Sequence, residues 1–198
     1  MTAGAGRADQ KARTRRAIVD ACRDLARSGA EVTMPQVAKH ALVSEATAYR
    51  YFPDLVSLLQ EALEAVWPGP EEALAPVAAS SDPARRVAFA TEYLLRHVHT
   101  HQGAVRAMIS HTIAAPPRAR ARPGLRFALI DHVLAPFDGL PPAALARLKQ
   151  SLALACGAEA FFVLTDLCGL SPDDAVATAV ETATTLTEAA FAGETRKR

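Results

Sequence analysis

Apolar side chains recur along this chain at helical spacing almost from its start, and nowhere in the alternating pattern of a half-buried strand. Ile18, Ala21, Cys22 and Leu25 fall at i, i+3, i+4 and i+7, which predicts an amphipathic helix over residues 13–28, stopped at Ser28-Gly29. Met34, Val37, Ala38 and Ala41 repeat that spacing, and Thr33 stands where a hydroxyl caps free backbone N–H groups. After Ala41-Leu42-Val43, Ser44 is placed to cap a third helix that runs to about Tyr51. On it Ala48 and Phe52 point inward. Glu45, Ala46, Thr47, Tyr49 and Arg50 face outward, with Tyr51 at the border. Two short helices on a tight turn, the second with a polar outer face, read as a helix-turn-helix.

The helical period continues to the end of the chain. A helix over residues 53–67 is opened by Pro53 at its first position and carries Leu55, Leu58, Leu59, Leu63 and Val66 inward. Further helices are expected from Asp82-Pro83 to about Gln102, from Gly103 to Ala115, over 125–135, over 142–168, and over 172–191 behind a Ser171 cap. The expected fold is all-α with about nine helices. Residues 1–52 are expected to form a helix-turn-helix head with a basic N-terminal arm, and residues 53–198 a separate helical body.

The outer face of the third helix suits a groove in double-stranded DNA. Ala46 is small enough to let backbone approach base edges, and Glu45 can accept from a cytosine amino group. Thr47 can touch a thymine methyl or a phosphate oxygen. The phenols of Tyr49 and Tyr51 can donate to phosphates, and Arg50 supplies charge. Most such contacts position a protein on the duplex and few read sequence. The charge distribution agrees. The net charge is only +1 over 198 residues, yet residues 1–53 hold nine basic against five acidic side chains, and residues 54–198 thirteen against sixteen. Arg7, Lys11, Arg13, Arg15 and Arg16 make up the arm, with Arg13 and Arg16 favoured as phosphate contacts and Arg7 as solvated tail. Arg118, Arg120 and Arg122, in the run PPRARARPG, are expected to belong to a solvated connector.

Residues 13–59 resemble the DNA-binding domain of the tetracycline-repressor (TetR) family of bacterial regulators. Val43-Ser44, then Thr47, Tyr49, Tyr51, Phe52 and Pro53, then Leu58-Leu59 carry the resemblance. It implies that Thr33, Ser44, Thr47, Tyr49 and Tyr51 make backbone or base contacts, and that Glu45, Ala46 and Arg50 are the variable readers. It also implies a repressor that binds a palindromic operator as a dimer and is released by a small molecule. Two positions depart from the family pattern. Leu42 stands where a turn glycine is usual, so a left-handed conformation there carries strain. Leu55 stands where a phosphate-binding lysine is often found.

The last two helices predict a homodimer through residues 142–168 and 172–191. The first has Leu148, Leu152, Ala155 and Phe162 on one stripe and Leu154, Ala158 and Phe161 on another, and a second apolar stripe implies a second partner. The other presents Ala175, Ala179, Ala183 and Ala190, which permit close helix approach. Two heads can then reach successive major grooves about 34–36 Å apart.

For the effector, Phe89, Tyr93, Met108, Phe127 and Phe161 are expected to line an apolar cavity, with His97 and His111 as polar anchors. His101 continues the His97 face, and His132 shares a stripe with Leu125, Ala128 and Leu129. His97 and His101 have metal-ligand spacing, but no HExxH sequence or cysteine cluster accompanies them, so no metal, cofactor or catalytic residue is expected. Glu159 and Asp166 are expected to pair structurally with a histidine or an arginine. Cys22, Cys156 and Cys168 read as reduced core cysteines of a bacterial cytoplasm. The most apolar stretch, 152–164, is too short to span a membrane and is broken by Glu159. Two other readings stay open: a small helical enzyme with a metal on its histidines, and a DNA-binding protein indifferent to sequence.

Overall fold

The computed structural model describes residues 3–28, 32–64, 67–114 and 125–195, and every regular element among them is helical. The α-helices are α1 (Ala3–Arg27), α2 (Met34–His40), α3 (Glu45–Tyr51), α4 (Leu55–Glu64), α5 (Pro70–Ala73), α6 (Pro83–Thr100), α7 (Gln102–Ala114), α8 (Leu125–Leu134), α9 (Pro142–Ala155), α10 (Ala158–Phe162) and α11 (Pro172–Thr195). A 3-10 turn covers Ala75–Val77 and a π-helical turn covers Val163–Leu167. The two α-helices beyond the nine expected are the single turn α5 and a break within the 142–168 run. Gly103 is no breaker: it lies in the first turn of α7, and the chain turns at His101 instead.

Packing groups the described chain into two compact units. One holds α1–α4 and α7, the other α5, α6 up to His99, and α8–α11. The packing boundary therefore does not follow the division at residue 52. Leu58, Leu59 and Ala62 of α4, and Ala104 of α7, are buried in one cluster with Ile18, Cys22, Val37, Ala48 and Phe52. Helix α4 is part of the head's core, its apolar stripe packed on α1 and α7.

In the first unit, α1 begins ten residues before the expected start. No proline or β-branched residue interrupts Ala3–Arg13, so the helix propagates through the basic segment. Lys11 thus stands on the same helix as Arg13, Arg15 and Arg16. The Arg7 side chain, Gly29, the Leu125 side chain, Val66, Ala115 and the arginines at 118, 120 and 122 lie outside the described residues. Helix α2 ends in a six-to-one turn: the Val43 N–H donates to the Ala38 carbonyl at 3.0 Å and the Leu42 N–H to Lys39 at 3.2 Å. That geometry puts Leu42 at φ 55°, in the left-handed region, with 93% of its surface exposed. Helix α4 is not opened by Pro53 at its first position. Asp54 caps it, its carboxylate accepting from the Ser57 N–H at 2.8 Å.

In the second unit, Asp82 caps α6 by accepting from the Ala84 N–H at 2.9 Å. The buried Arg86 guanidinium of α6 donates to the carbonyls of Val133 (3.1 Å), Ala78 (2.7 Å) and His132 (3.3 Å). These are carbonyls at the ends of α8 and of the 3-10 turn, where helix termini leave acceptors unfilled. At the break between α9 and α10, Gly157 has extended backbone (φ −84°, ψ 158°), and the Arg126 guanidinium packs close against it. Arg126 donates to the Ala153 carbonyl at 2.8 Å and pairs with Glu159 at 3.1 Å.

Ser171 caps α11, accepting from the Asp174 N–H at 3.2 Å, with Pro172 as the first helical residue. Ala175, Ala179 and Ala183 are buried within the single chain. Their small size is used for packing inside this unit and is not reserved for a partner subunit. The apolar side chains left in solvent are others: Leu154 and Leu167, each 80% exposed, with Val163 between them in sequence. The second stripe is also different from the expected one, because Phe161 is buried and Leu154 is not. Pro142–Leu167 is long and apolar enough to cross a membrane by length and composition, a longer apolar stretch than residues 152–164. It is nevertheless interrupted at Gly157 and held to Arg126 by an ion pair.

Candidate nucleic-acid interface

The second helix of the helix-turn-helix is held by its cap and its inner face. Ser44 Oγ accepts from the Thr47 N–H at 3.2 Å, and the Ser44 and Thr47 hydroxyls lie 2.8 Å apart. Thr33 caps α2 in the same way, accepting from the Gln36 N–H at 3.4 Å. Ala48 and Phe52 are completely buried, which fixes the rotation of α3. The other face is open: Ser44, Glu45, Ala46, Tyr49 and Arg50 are exposed, and Thr47 and Tyr51 are half-buried. The Arg50 guanidinium stands 5.7 Å from the Tyr51 ring centre, so stacking tethers the head of a long side chain.

A concave groove of about 720 Å³ runs beside this face. Gln10, Lys11 and Thr14 of α1 line one side, and Ser44, Thr47, Arg50 and Tyr51 line the other. Two cations and several hydroxyls on a concave wall can hold a phosphodiester strand by charge and by hydrogen bonding. Gln10 and Thr14 were invisible as site residues in the sequence, because only an unexpected extension of α1 brings them beside α3. Arg15, expected as part of the basic arm, has its partners within the protein. Its guanidinium pairs with Glu61, donates to the Tyr51 carbonyl at 3.2 Å and covers the Phe52 ring at 4.3 Å.

Residues 18–62 match the family model described as bacterial regulatory proteins, tetR family. The chain therefore carries a DNA-binding domain of the TetR family over those residues. It is a DNA-binding protein of transcription regulation with a helix-turn-helix head. The fold extends beyond the matched segment. The crystal structure of a TetR transcriptional regulator from Rhodococcus sp. RHA1 superposes with a TM-score of 0.54 at 22% identity, covering 89% of this chain and 97% of that one. No curated protein matches the chain.

The residues expected to line an effector cavity are dispersed. Phe89, Tyr93 and His97 are half-buried on α6. The Tyr93 and His97 rings lie 4.1 Å apart, and His97 Nδ1 is 2.8 Å from the Tyr93 carbonyl oxygen. The Tyr93 hydroxyl oxygen is enclosed without a hydrogen-bond partner among the described residues. Burial raises its pKa above the ordinary phenol value, and the nearby Glu72 carboxylate adds to the rise. Phe161 is fully buried, with the rings of His99 and Phe162 at 5.9 and 5.7 Å. Phe127 is 53% exposed and His111 is exposed, so neither lines an enclosed cavity in the single chain. Met108 packs against the core of the first unit instead. The 3.6-residue period marks a stripe on each helix but cannot tell which neighbour covers it.

His101 sits with its ring edge-on to Trp67 at 6.3 Å. No group of three metal-ligating side chains converges among the described residues. Glu159 pairs with Arg126, as the sequence led us to expect of that carboxylate, while Asp166 accepts from the neighbouring Thr165 hydroxyl at 2.9 Å. Cys22 and Cys156 are buried, and burial pushes the Cys22 thiol up to about 12. Cys168 is not a core residue: it is exposed at the end of the π turn.

Proposed function

We propose that this chain represses transcription by binding a palindromic operator as a homodimer, and that a small-molecule effector releases it. One observation supports the reading above others. Glu45, Ala46, Tyr49 and Arg50 stand in solvent on a helix whose opposite face, Ala48 and Phe52, is sealed. A face that cannot be turned inward, bordered by a groove with Lys11 and Arg50, is complementary to a duplex. In this reading Thr33, Ser44, Thr47, Tyr49 and Tyr51 position the head on the duplex, and Glu45, Ala46 and Arg50 meet the base edges.

Dimerisation employs the exposed apolar residues of α9 and the π turn, Leu154, Val163 and Leu167. It sets two heads about 34–36 Å apart, the repeat of the major groove. The body binds ligand and performs no catalysis, and an effector preference of about 1–3 kcal/mol for the released state suffices for control. The test is footprinting of the purified protein on the DNA that flanks its own gene. A bounded, two-fold symmetric footprint is expected, lost or weakened in Tyr49→Phe at unchanged helicity. Equal protection of random DNA at physiological salt overturns the reading.

A further inference from the structure

We infer that α1 supplies a second wall of the DNA interface, on which Lys11 and Gln10 hold a phosphodiester of the duplex while Arg13 and Arg16 of the same helix face away from it. This deepens the DNA-binding reading above and rests on it.

Helix α1 turns one face to the core. Ile18 and Cys22 on that face are completely buried, and Leu25 packs against the same cluster. Thr14 and Lys11 stand four and seven residues before Ile18, so a period of about 3.6 residues puts them on the same face, with Gln10 beside them. The stripe changes from apolar to polar where the core ends.

What the polar part faces is the open groove of about 720 Å³ beside α3. Gln10, Lys11 and Thr14 line one wall, and Ser44, Thr47 and Tyr51 the other. Lys11 and Arg50 are the charged side chains among the described residues that line it, and no carboxylate does. That composition matches a phosphodiester, an anion with several acceptor oxygens. Lys11 brings a charge and three N–H donors, and Gln10 an amide N–H group. The Thr14 hydroxyl already donates to the Gln10 carbonyl at 3.0 Å, so Thr14 shapes the wall and the other two bind. The groove adjoins the exposed face of α3, so the strand it takes belongs to the duplex that α3 meets.

Arg13 and Arg16 were favoured as phosphate contacts on sequence grounds, and the register of α1 separates them from Lys11. They follow it by two and five residues, roughly 200° and 140° round the helix. Both are exposed and neither lines the groove. Asp9 lies four residues before Arg13 and Asp20 four after Arg16, a spacing at which opposite charges are neighbours on a helix. The net charge of that face is therefore small, and salt screens what is left over about 10 Å.

The experiment measures affinity of the full-length protein for a random-sequence duplex and for the DNA that flanks its own gene, each over a series of salt concentrations. Lys11→Ala weakens both by about three- to tenfold and lowers the slope of log affinity against log salt by about one for each head engaged. Gln10→Ala removes a neutral donor, so affinity falls about two- to threefold with the slope unchanged. The double variant Arg13→Ala with Arg16→Ala stays within about twofold of the parent and keeps its slope within about half a unit. Alanine sustains the helix at these exposed positions, which circular dichroism verifies. An unchanged slope in Lys11→Ala, or an equal or larger fall in the Arg13 and Arg16 double variant, overturns the inference. Flanking DNA bound no better than random DNA overturns the regulatory reading instead, and the slopes on the random duplex still decide between the two faces of α1.

Discussion

Arg15 grips Glu61 with two parallel hydrogen bonds across the packed faces of α1 and α4, Nε lying 3.0 Å from Oε1 and Nη2 in close contact with Oε2. Its remaining nitrogen, Nη1, donates to the carbonyl of Tyr51, the last helical residue of α3. One side chain thus ties the end of the recognition helix to the helix that follows it.

Both partners are more than a third exposed, so solvent screens the ion pair and its Coulombic share is small, about 0.5–1 kcal/mol. Arg15→Ala also removes the cover of the Phe52 ring and leaves the Tyr51 carbonyl without that donor. We expect it to lower stability by about 1–2 kcal/mol, and Glu61→Gln by less than about 1 kcal/mol. Urea denaturation of the two variants measures both. Equal losses would mean that the pair acts only through its charges. Operator affinity should fall in Arg15→Ala beyond what its folded fraction accounts for, because the end of α3 is then unpinned.

Leu42 sets strain against entropy. A non-glycine residue in the left-handed region costs about 1–2 kcal/mol, whereas glycine adds about 0.5–1 kcal/mol of unfolded-state entropy relative to a side chain. The strain is the larger quantity, and at 93% exposure the leucine contributes little burial to offset it. Leu42→Gly should therefore stabilise the head by about 0.5–1 kcal/mol. A rise in the denaturation midpoint without change in the slope verifies this, and a fall would show that Leu42 has an apolar partner in the working assembly.

What was legible in the sequence was local. The caps Thr33 and Ser44, the inward pair Ala48 and Phe52, and the strained turn at Leu42 all depend on residues within one helical turn, where spacing determines neighbours. Arg15 was read only as part of the basic arm because its partner Glu61 lies 46 positions away. The run 142–168 was read as one helix because Gly157 alone does not end a helix. The Arg126 guanidinium of α8 that bridges the joint comes from outside the run, and no spacing rule contains it. Leu154 sat on an apolar stripe and Phe127 was expected to line a cavity, yet both face solvent, since an apolar side chain is buried only if something is there to cover it.

Cys22 gives the head a pH dependence of known sign. Burial raises its thiol in the folded state from the ordinary 9.0 to about 12, so above the ordinary value the unfolded chain releases a proton that the folded chain retains. Stability from this group is fully present below pH 9 and is lost as pH rises toward the folded value. Its share of the loss is about 1 kcal/mol between pH 9 and pH 10. Cys22→Ala lowers the overall level by opening a small void but should flatten the decline over that interval. Parallel stability curves for the two proteins would exclude the thiol as the titrating group.

The proposed dimer is tested by residues the folded monomer does not need. Leu154 and Leu167 are each 80% exposed, so replacing either with glutamate removes almost no buried apolar area from the single chain. In an interface the same change puts an unpaired carboxylate into an apolar contact, at a cost of several kcal/mol for each symmetric copy. Leu154→Glu and Leu167→Glu should therefore sediment as monomers with unchanged helicity and thermal unfolding at low concentration, and lose tight operator binding, because each head alone contacts half a palindrome. If both variants remain dimeric, subunits join through another surface. The exposed rim of the groove between α9 and α11, where Arg147, Ser151 and Leu186 meet, is then the next place to substitute.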